Sequence, residues 1–326
     1  MRNCVTWIAA FALVACLINR SLPLPKVGGI YEKYEHFAAR RDQYNVLFIG
    51  SSRFYHQIVP ERFDSRVAAT NGALVRSFNF GADGMRPPES FYLLRKILAL
   101  QPPRLRWVVI EMMEMKTVIR RTNARTLRLA YWHDWQHTRL AWQDIARATW
   151  APSEKCALLV EHGMHFARQS TNLGRGVEWA EKYLSRKRES TKKKTIDLEG
   201  FDPLPHREMS ADDLAEYEIA VLDLRRGFKP CHLDPLLRKA LSELIAEIRA
   251  AAAEPIFVIT PTLYAYENFA EAPEGATLFA FNSPTLYPEL FEPAYRYDSA
   301  HLDGNGAFLF TDLLAAHLAD ALAARR

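Results

Sequence analysis

Apolar positions along this chain fall into two alternating patterns. Largely apolar runs at residues 45–49 ("NVLFI"), 106–113 ("RWVVIEMM") and 255–262 ("PIFVITPT") read as strands buried on both faces, as a parallel sheet requires. Between and after them, "PPESFYLLRKILAL" (87–100) and "LDPLLRKALSELIAEIRAAAAE" (233–254) repeat their apolar residues at the helical period. A helix is expected after Pro60, and a second apolar element ends near "SFNFGADG" (77–84). "GAFLFTDLLAAHLADALAARR", begun after Gly306, closes the chain as an amphipathic helix. Strands alternating with helices predict an α/β fold, three layers deep, with a central parallel sheet.

The middle of the chain breaks this rhythm. Residues 116–232 are rich in Trp, Arg and His ("YWHDWQHTRLAWQDIARATW") and hold no run suited to a buried strand, so they are expected to form a mainly helical insertion. The other extreme is the N-terminus, where residues 4–18 carry no charge. That run is short for a spanning helix and suits a signal-peptide core. The expected organisation is a signal anchor or transmembrane segment (1–22), a linker and lead-in helix (23–43), an α/β domain (44–115 and 233–326) and the insertion (116–232). An alternative stays open, because Leu13-Val14-Ala15-Cys16 resembles a bacterial lipobox whose cysteine would be lipidated.

Composition changes this picture little. The net charge of +4 is too small to argue for nucleic acid, and the basic run "RKRESTKKK" (186–194) has no interleaved aromatics, which suits a solvated loop. The four cysteines show no metal-type spacing. His133 and His137 are spaced i, i+4 and His162 and His165 i, i+3, but no third ligand stands out, so neither a metal nor a cofactor is expected.

Candidate chemistry gathers where strands end. Gly50-Ser51-Ser52-Arg53 follows the first strand. A serine there either caps a helix or exposes a nucleophilic hydroxyl whose own amide can hold an oxyanion. Asn79-Phe80-Gly81-Ala82-Asp83-Gly84 ends the second apolar element, and its glycines permit close approach of the backbone to a ligand. Asp298-Ser299-Ala300-His301 precedes the last helix. A hydroxyl needs a base, and an imidazole needs an acceptor to fix its tautomer, so one short segment can supply both.

In this order, the three blocks resemble those of the SGNH hydrolases, the GDSL-type lipases and esterases. The resemblance covers about residues 44–114 and 233–326 and implies an SGNH/flavodoxin-like fold. It further implies Ser52 as nucleophile, His301 as base, Asp298 as its orienting acid, and the amides of Ser52 and Gly84 as oxyanion donors. Arg53, Asn79 and Glu111 stand near enough to these strand ends to be candidate substrate contacts, with a structural ion pair as the alternative for Arg53 and Glu111. One departure matters: the family's third block supplies an Asn side chain as a further donor, and Met115 falls at that position. Losing such a donor costs on the order of 100-fold in rate. Either another group substitutes or activity is low. A Gly-Ser-Ser block behind an N-terminal anchor also resembles membrane-attached proteins that assist acylation of cell-surface polymers. That implies an acylated saccharide or small ester as substrate, a membrane-bound O-acyltransferase as partner and an extracytoplasmic domain.

Overall fold

The computed structural model describes residues 24–119, 126–172, 197–227 and 229–323, together with residues 6–7, 10–11, 13–15, 17 and 124. The chain divides into two compact units, one of Met1–Tyr34 with Lys116–Thr195 and the other of Glu35–Met115 with Ile196–Arg326.

The second unit is built on five parallel strands, β1 (Val46–Gly50), β2 (Ser77–Gly81), β3 (Trp107–Glu111), β4 (Glu254–Ile259) and β5 (Thr277–Ala280). Their spatial order is β2-β1-β3-β4-β5, every neighbouring pair parallel. Side chains alternate across each strand. Val46, Phe48, Val109, Ile256 and Val258 share one core with three helices: Pro60–Asn71 through Phe63 and Val67, Ala211–Gly227 through Tyr217, Val221 and Leu224, and Gly304–Ala323 through Phe310, Leu314 and Leu318. The helices Glu89–Leu98 and Pro235–Ala250 pack on β1 and β4 and are joined to each other by Arg95 and Glu247 at 2.7 Å. The result is a three-layer α/β/α unit.

Local chemistry sets the helix ends. Pro60 and Pro235 open their helices at a position whose N–H has no intrahelical partner, and Asp234 caps the second by accepting from the Leu236 amide at 2.7 Å. Gly72 ends Pro60–Asn71 in the left-handed region, with φ of 71°. At Gly81 a Cβ would meet the Tyr55 amide and lie 2.7 Å from its Cα, so glycine lets the helix Ser52–Gln57 settle onto the end of β2. The chain leaves β1 for β2 on one side and later places β3 on the other. Such a reversal opens a crevice at the carboxyl ends of the strands.

The insertion is shorter than the sequence suggests. Its far boundary moves from 232 to 195, because Ala211–Gly227 turns Tyr217, Val221 and Leu224 into the α/β core. Those three stand at i, i+4 and i+7 in an otherwise polar segment, a stripe too narrow to advertise itself. β5, only Thr277–Ala280 and half-buried, is equally faint in sequence. In the first unit the helices are Leu127–Tyr131, Trp135–Arg147 and Pro152–Thr171, the first two capped by Thr126 and Asp134. No helix among the described residues is long and apolar enough to cross a membrane. Most of the 1–22 segment, Cys16 included, and the basic run 186–194 lie outside the described residues.

Asp64, on the helix Pro60–Asn71, accepts the Ser77 amide with both carboxylate oxygens at 3.1 Å, tying that helix to the start of β2. Burial pushes its carboxyl up to about 6, outweighing the opposing hydrogen bonds from Ser77. A folded value above the unfolded one means the contribution is fully present below about pH 4 and is lost as pH rises through 6. Asp64→Asn, which keeps one acceptor oxygen, is expected to remove this slope. Thermal unfolding of both proteins from pH 4 to 8 should show the variant gaining relative stability with rising pH, by up to roughly 3 kcal/mol. Parallel curves would refute the assignment.

Candidate active site

The crevice at the end of β1 sorts the two adjacent serines. Ser51 sits in extended conformation as N-cap of the helix Ser52–Gln57, its Oγ accepting from the Arg53 amide at 3.2 Å. Its own amide donates to Glu111 Oε2 at 2.5 Å. Ser51 is therefore buried and committed, and the turn it makes sends Ser52 outward. Ser52, half-buried, has its Oγ 2.8 Å from His301 Nε2.

His301 is oriented from its other side. Its Nδ1 lies 2.9 and 3.0 Å from the two oxygens of Asp298. A carboxylate only accepts, so Nδ1 carries the proton, Nε2 offers a lone pair, and the Ser52 hydroxyl donates to it. Asp298 Oδ1 also accepts the amides of Ala300 and His301 at 2.7 and 2.8 Å, which closes the loop around the acid. Burial alone would raise the Asp298 pKa. The hydrogen bond and charge of His301 and those two amides outweigh it and hold the carboxyl below its ordinary value. The structure thus brings together Ser52, His301 and Asp298, the three residues expected to act as one unit.

The loop that carries Asp298 and His301 is held by Arg296, a fully buried guanidinium with an unusual set of partners. It donates to four backbone carbonyls, those of Asp298 (3.3 Å), Ser299 (2.8 Å), Pro261 (3.3 Å) and Leu290 (3.4 Å), and lies over the rings of Tyr217 and Phe291. Burial lowers its pKa, with the charge of Asp298 among the groups opposing that shift. Below the loop, Asp303 accepts from the Gly306 amide at 2.8 Å and so starts the last helix.

Among the described residues, neither the Ser52 nor the Gly84 amide has a hydrogen-bond partner. Gly84 stands in a turn closed by the Met85 amide on the Ala82 carbonyl at 3.1 Å, with φ of 64° and open space where a Cβ would be. The preceding Asp83 is held by His56 Nε2 at 3.0 Å, and His56 Nδ1 donates to the Asp202 carbonyl at 2.6 Å. Burial would lower the His56 pKa, but these acceptors outweigh it and raise it. The His56 ring meets that of His301 edge-on, centroids 6.1 Å apart. Nothing in the sequence pattern singled out His56, which lies in a short helix with no motif of its own.

The three expected substrate contacts are corrected. Asn79 is fully buried; its amide donates to the carbonyls of Phe54 and Ile58 at 2.7 and 2.8 Å, and its Oδ1 accepts the Gly81 amide at 2.8 Å. It is a strut between β2 and the serine helix. Arg53 and Glu111 are buried against each other, Nε to Oε1 at 2.6 Å, as a structural ion pair. Arg53 also donates to Glu267, a fully buried acid in the turn Ala265–Glu267 that sequence reasoning missed because irregular loops carry no periodicity. Burial opposes the Arg53 charge, and the two carboxylates outweigh it and hold the guanidinium protonated. Met115 is half-buried and supplies no donor.

His133, in the segment between Leu127–Tyr131 and Trp135–Arg147, pairs with His162 of Pro152–Thr171. His133 Nε2 lies 2.8 Å from His162 Nδ1, and His137 turns to Asp134 at 2.6 Å. Burial lowers the pKa of His133 and His162, and brings His165 down to about 4. Among the described residues, no group of three or more His, Cys, Asp or Glu is arranged to hold a metal ion.

The division of labour between the serines has a direct test. Ser51→Ala removes a helix cap and is expected to cost about 1 kcal/mol. Ser52→Ala removes a half-buried hydroxyl that takes no part in the helix cap and is expected to leave stability within about 0.5 kcal/mol. Denaturant unfolding of both variants measures this, and the reverse ranking would overturn the assignment.

No protein-family model matches this chain, and no curated protein does. What the site does therefore rests on its own geometry.

Proposed function

We propose that the α/β unit is an SGNH-type serine esterase or O-acyltransferase that acts on ester-linked acyl groups. The observation that carries this reading is the continuous relay Ser52 Oγ–His301 Nε2 at 2.8 Å and His301 Nδ1–Asp298 at 2.9 Å, with Ser52 half-buried. A hydroxyl, a base and an orienting acid in this geometry match the requirements for nucleophilic acyl transfer.

The chemistry follows from that arrangement. Ser52 Oγ attacks the ester carbonyl carbon as its proton passes to His301 Nε2, and Asp298 stabilises the imidazolium. The carbonyl oxygen takes up the negative charge, and the amides of Ser52 and Gly84 are the donors available to hold it. Collapse breaks the bond to the alkoxy oxygen, which leaves as an alcohol with the proton from His301. Water, or a sugar hydroxyl, then gives a proton to His301 and attacks the acyl carbon, and collapse breaks the bond to Ser52 Oγ, which takes that proton back from His301. Water makes the protein an esterase, and a sugar hydroxyl makes it a transferase.

On this reading the substrate is an acylated saccharide of the cell envelope or a small ester. The apolar segment 1–22 anchors the chain with its site on the extracytoplasmic side, beside a membrane-bound O-acyltransferase. A second reading, a non-catalytic accessory protein of such an acylation system, draws on one observation: Met115 leaves the crevice without the family's side-chain oxyanion donor.

The test is labelling with a fluorophosphonate probe. The expected result is covalent modification of the folded protein that disappears in Ser52→Ala and falls at least about 100-fold in rate in His301→Ala. Folded protein that resists the probe would favour the accessory reading instead.

A further inference from the structure

Behind the relay runs a chain of buried charge that acyl transfer itself does not use. It begins at the Ser51 amide, which donates to Glu111 Oε2 at 2.5 Å. Glu111 Oε1 accepts from Arg53 Nε at 2.6 Å and from the Thr260 hydroxyl at 3.3 Å. Arg53 Nη1 donates to Glu267 Oε2 at 2.6 Å, and Glu267 Oε1 accepts from Arg86 Nη1 at 3.1 Å. The chain's two ends are what matter. One end holds the residue before Ser52, and the other holds the residue two beyond Gly84.

We propose that Glu267 and Arg86, acting with Arg53 and Glu111, are positioning residues that aim the Ser52 and Gly84 amides at a common point, in place of the side-chain donor missing at Met115. This inference rests on the acyl-transfer reading above.

Two separate segments carry the two amides, and an oxyanion is held only if both converge. Asp83 and Gly84 are exposed and nothing lies within 4 Å of the absent Cβ, so on its outer side the Gly84 turn is held through Asp83 by His56 Nε2 at 3.0 Å. Its inner side is tied to β1 by the Ala82 amide on the Gly50 carbonyl at 3.1 Å, two residues before Gly84. Beyond Gly84 the anchor is Arg86. The guanidinium of Arg53 is rigid and planar, so donating from Nε to one carboxylate and from Nη1 to the other fixes the span between Glu111 and Glu267. Two arginines and two carboxylates balance in charge, and charge-assisted hydrogen bonds hold a geometry more tightly than neutral ones. A catalytic donor displaced by about 1 Å can lose on the order of 100-fold in rate.

The experiment measures kcat and KM for p-nitrophenyl acetate with the whole chain, with Ser52→Ala as background. Arg86→Gln is expected to lower kcat tenfold to a hundredfold, on the order of one lost amide donor, with KM unchanged within about twofold and the melting temperature close to the parent's. Arg86→Lys, which keeps the charge, is expected to recover part of that loss, whereas a merely structural role predicts no kcat-specific effect. Glu267→Gln is expected to lower kcat as far or further. Should it fail to fold, the Arg86 pair decides. Parental kcat in folded Arg86→Gln, or a change confined to KM or to melting temperature, would overturn the proposal alone. Absence of any Ser52-dependent turnover in the parent chain would sink the acyl-transfer reading and this inference with it.

Discussion

Glu111 sets a carboxylate at the buried carboxyl end of β3, in the middle of the sheet, where an unpaired charge would cost several kcal/mol. Satisfying it shapes the first turn of the crevice. One oxygen takes the Ser51 amide and the other takes Arg53, so the chain leaving β1 must bend toward β3. That bend makes Ser51 a cap and faces Ser52 outward. It also explains Gly50, where a Cβ would stand 2.6 Å from Glu111 Oε2. Glycine stands before the serines because a carboxylate fills the space a side chain would need.

On the other side of the crevice, a second buried cation works by a different rule. Among the described residues no carboxylate is bonded to Arg296; its guanidinium gathers backbone carbonyls, two of them in the loop that presents Asp298 and His301. The turn that carries Ser52 is thus fixed by paired charges, and the loop that carries His301 by a cation among dipoles and aromatic rings. Each arrangement fixes backbone rather than side chain, which suits a relay whose distances depend on where two separate turns begin.

The strands and most helices of the α/β unit were legible because parallel sheets need unbroken apolar runs and surface helices need a periodic stripe. The triad was legible because its residues stand at strand ends in a recognisable order. What stayed hidden depended on direction rather than on residue type. Ser51 and Ser52 are the same residue in adjacent positions, and only the Glu111 contact tells them apart. Asn79 looked like a ligand-facing amide, yet its hydrogens go to Phe54 and Ile58 carbonyls. Glu267 and His56 contribute through partners far away in sequence, which no local pattern records. His133 stands between two helices and meets His162 of a third, a partner that spacing along one helix does not reveal.

Ser52 and His301 are separated by 249 positions in the chain, and His301 is followed directly by the helix Gly304–Ala323. That helix packs against Pro60–Asn71, where Asp312 receives both Arg62 and Arg66. During synthesis, therefore, the serine emerges long before His301. On the acyl-transfer reading, a nascent or prematurely ended chain carries a dormant hydroxyl, and completion of the fold, which brings in the imidazole with the last helix, is the step that arms the site.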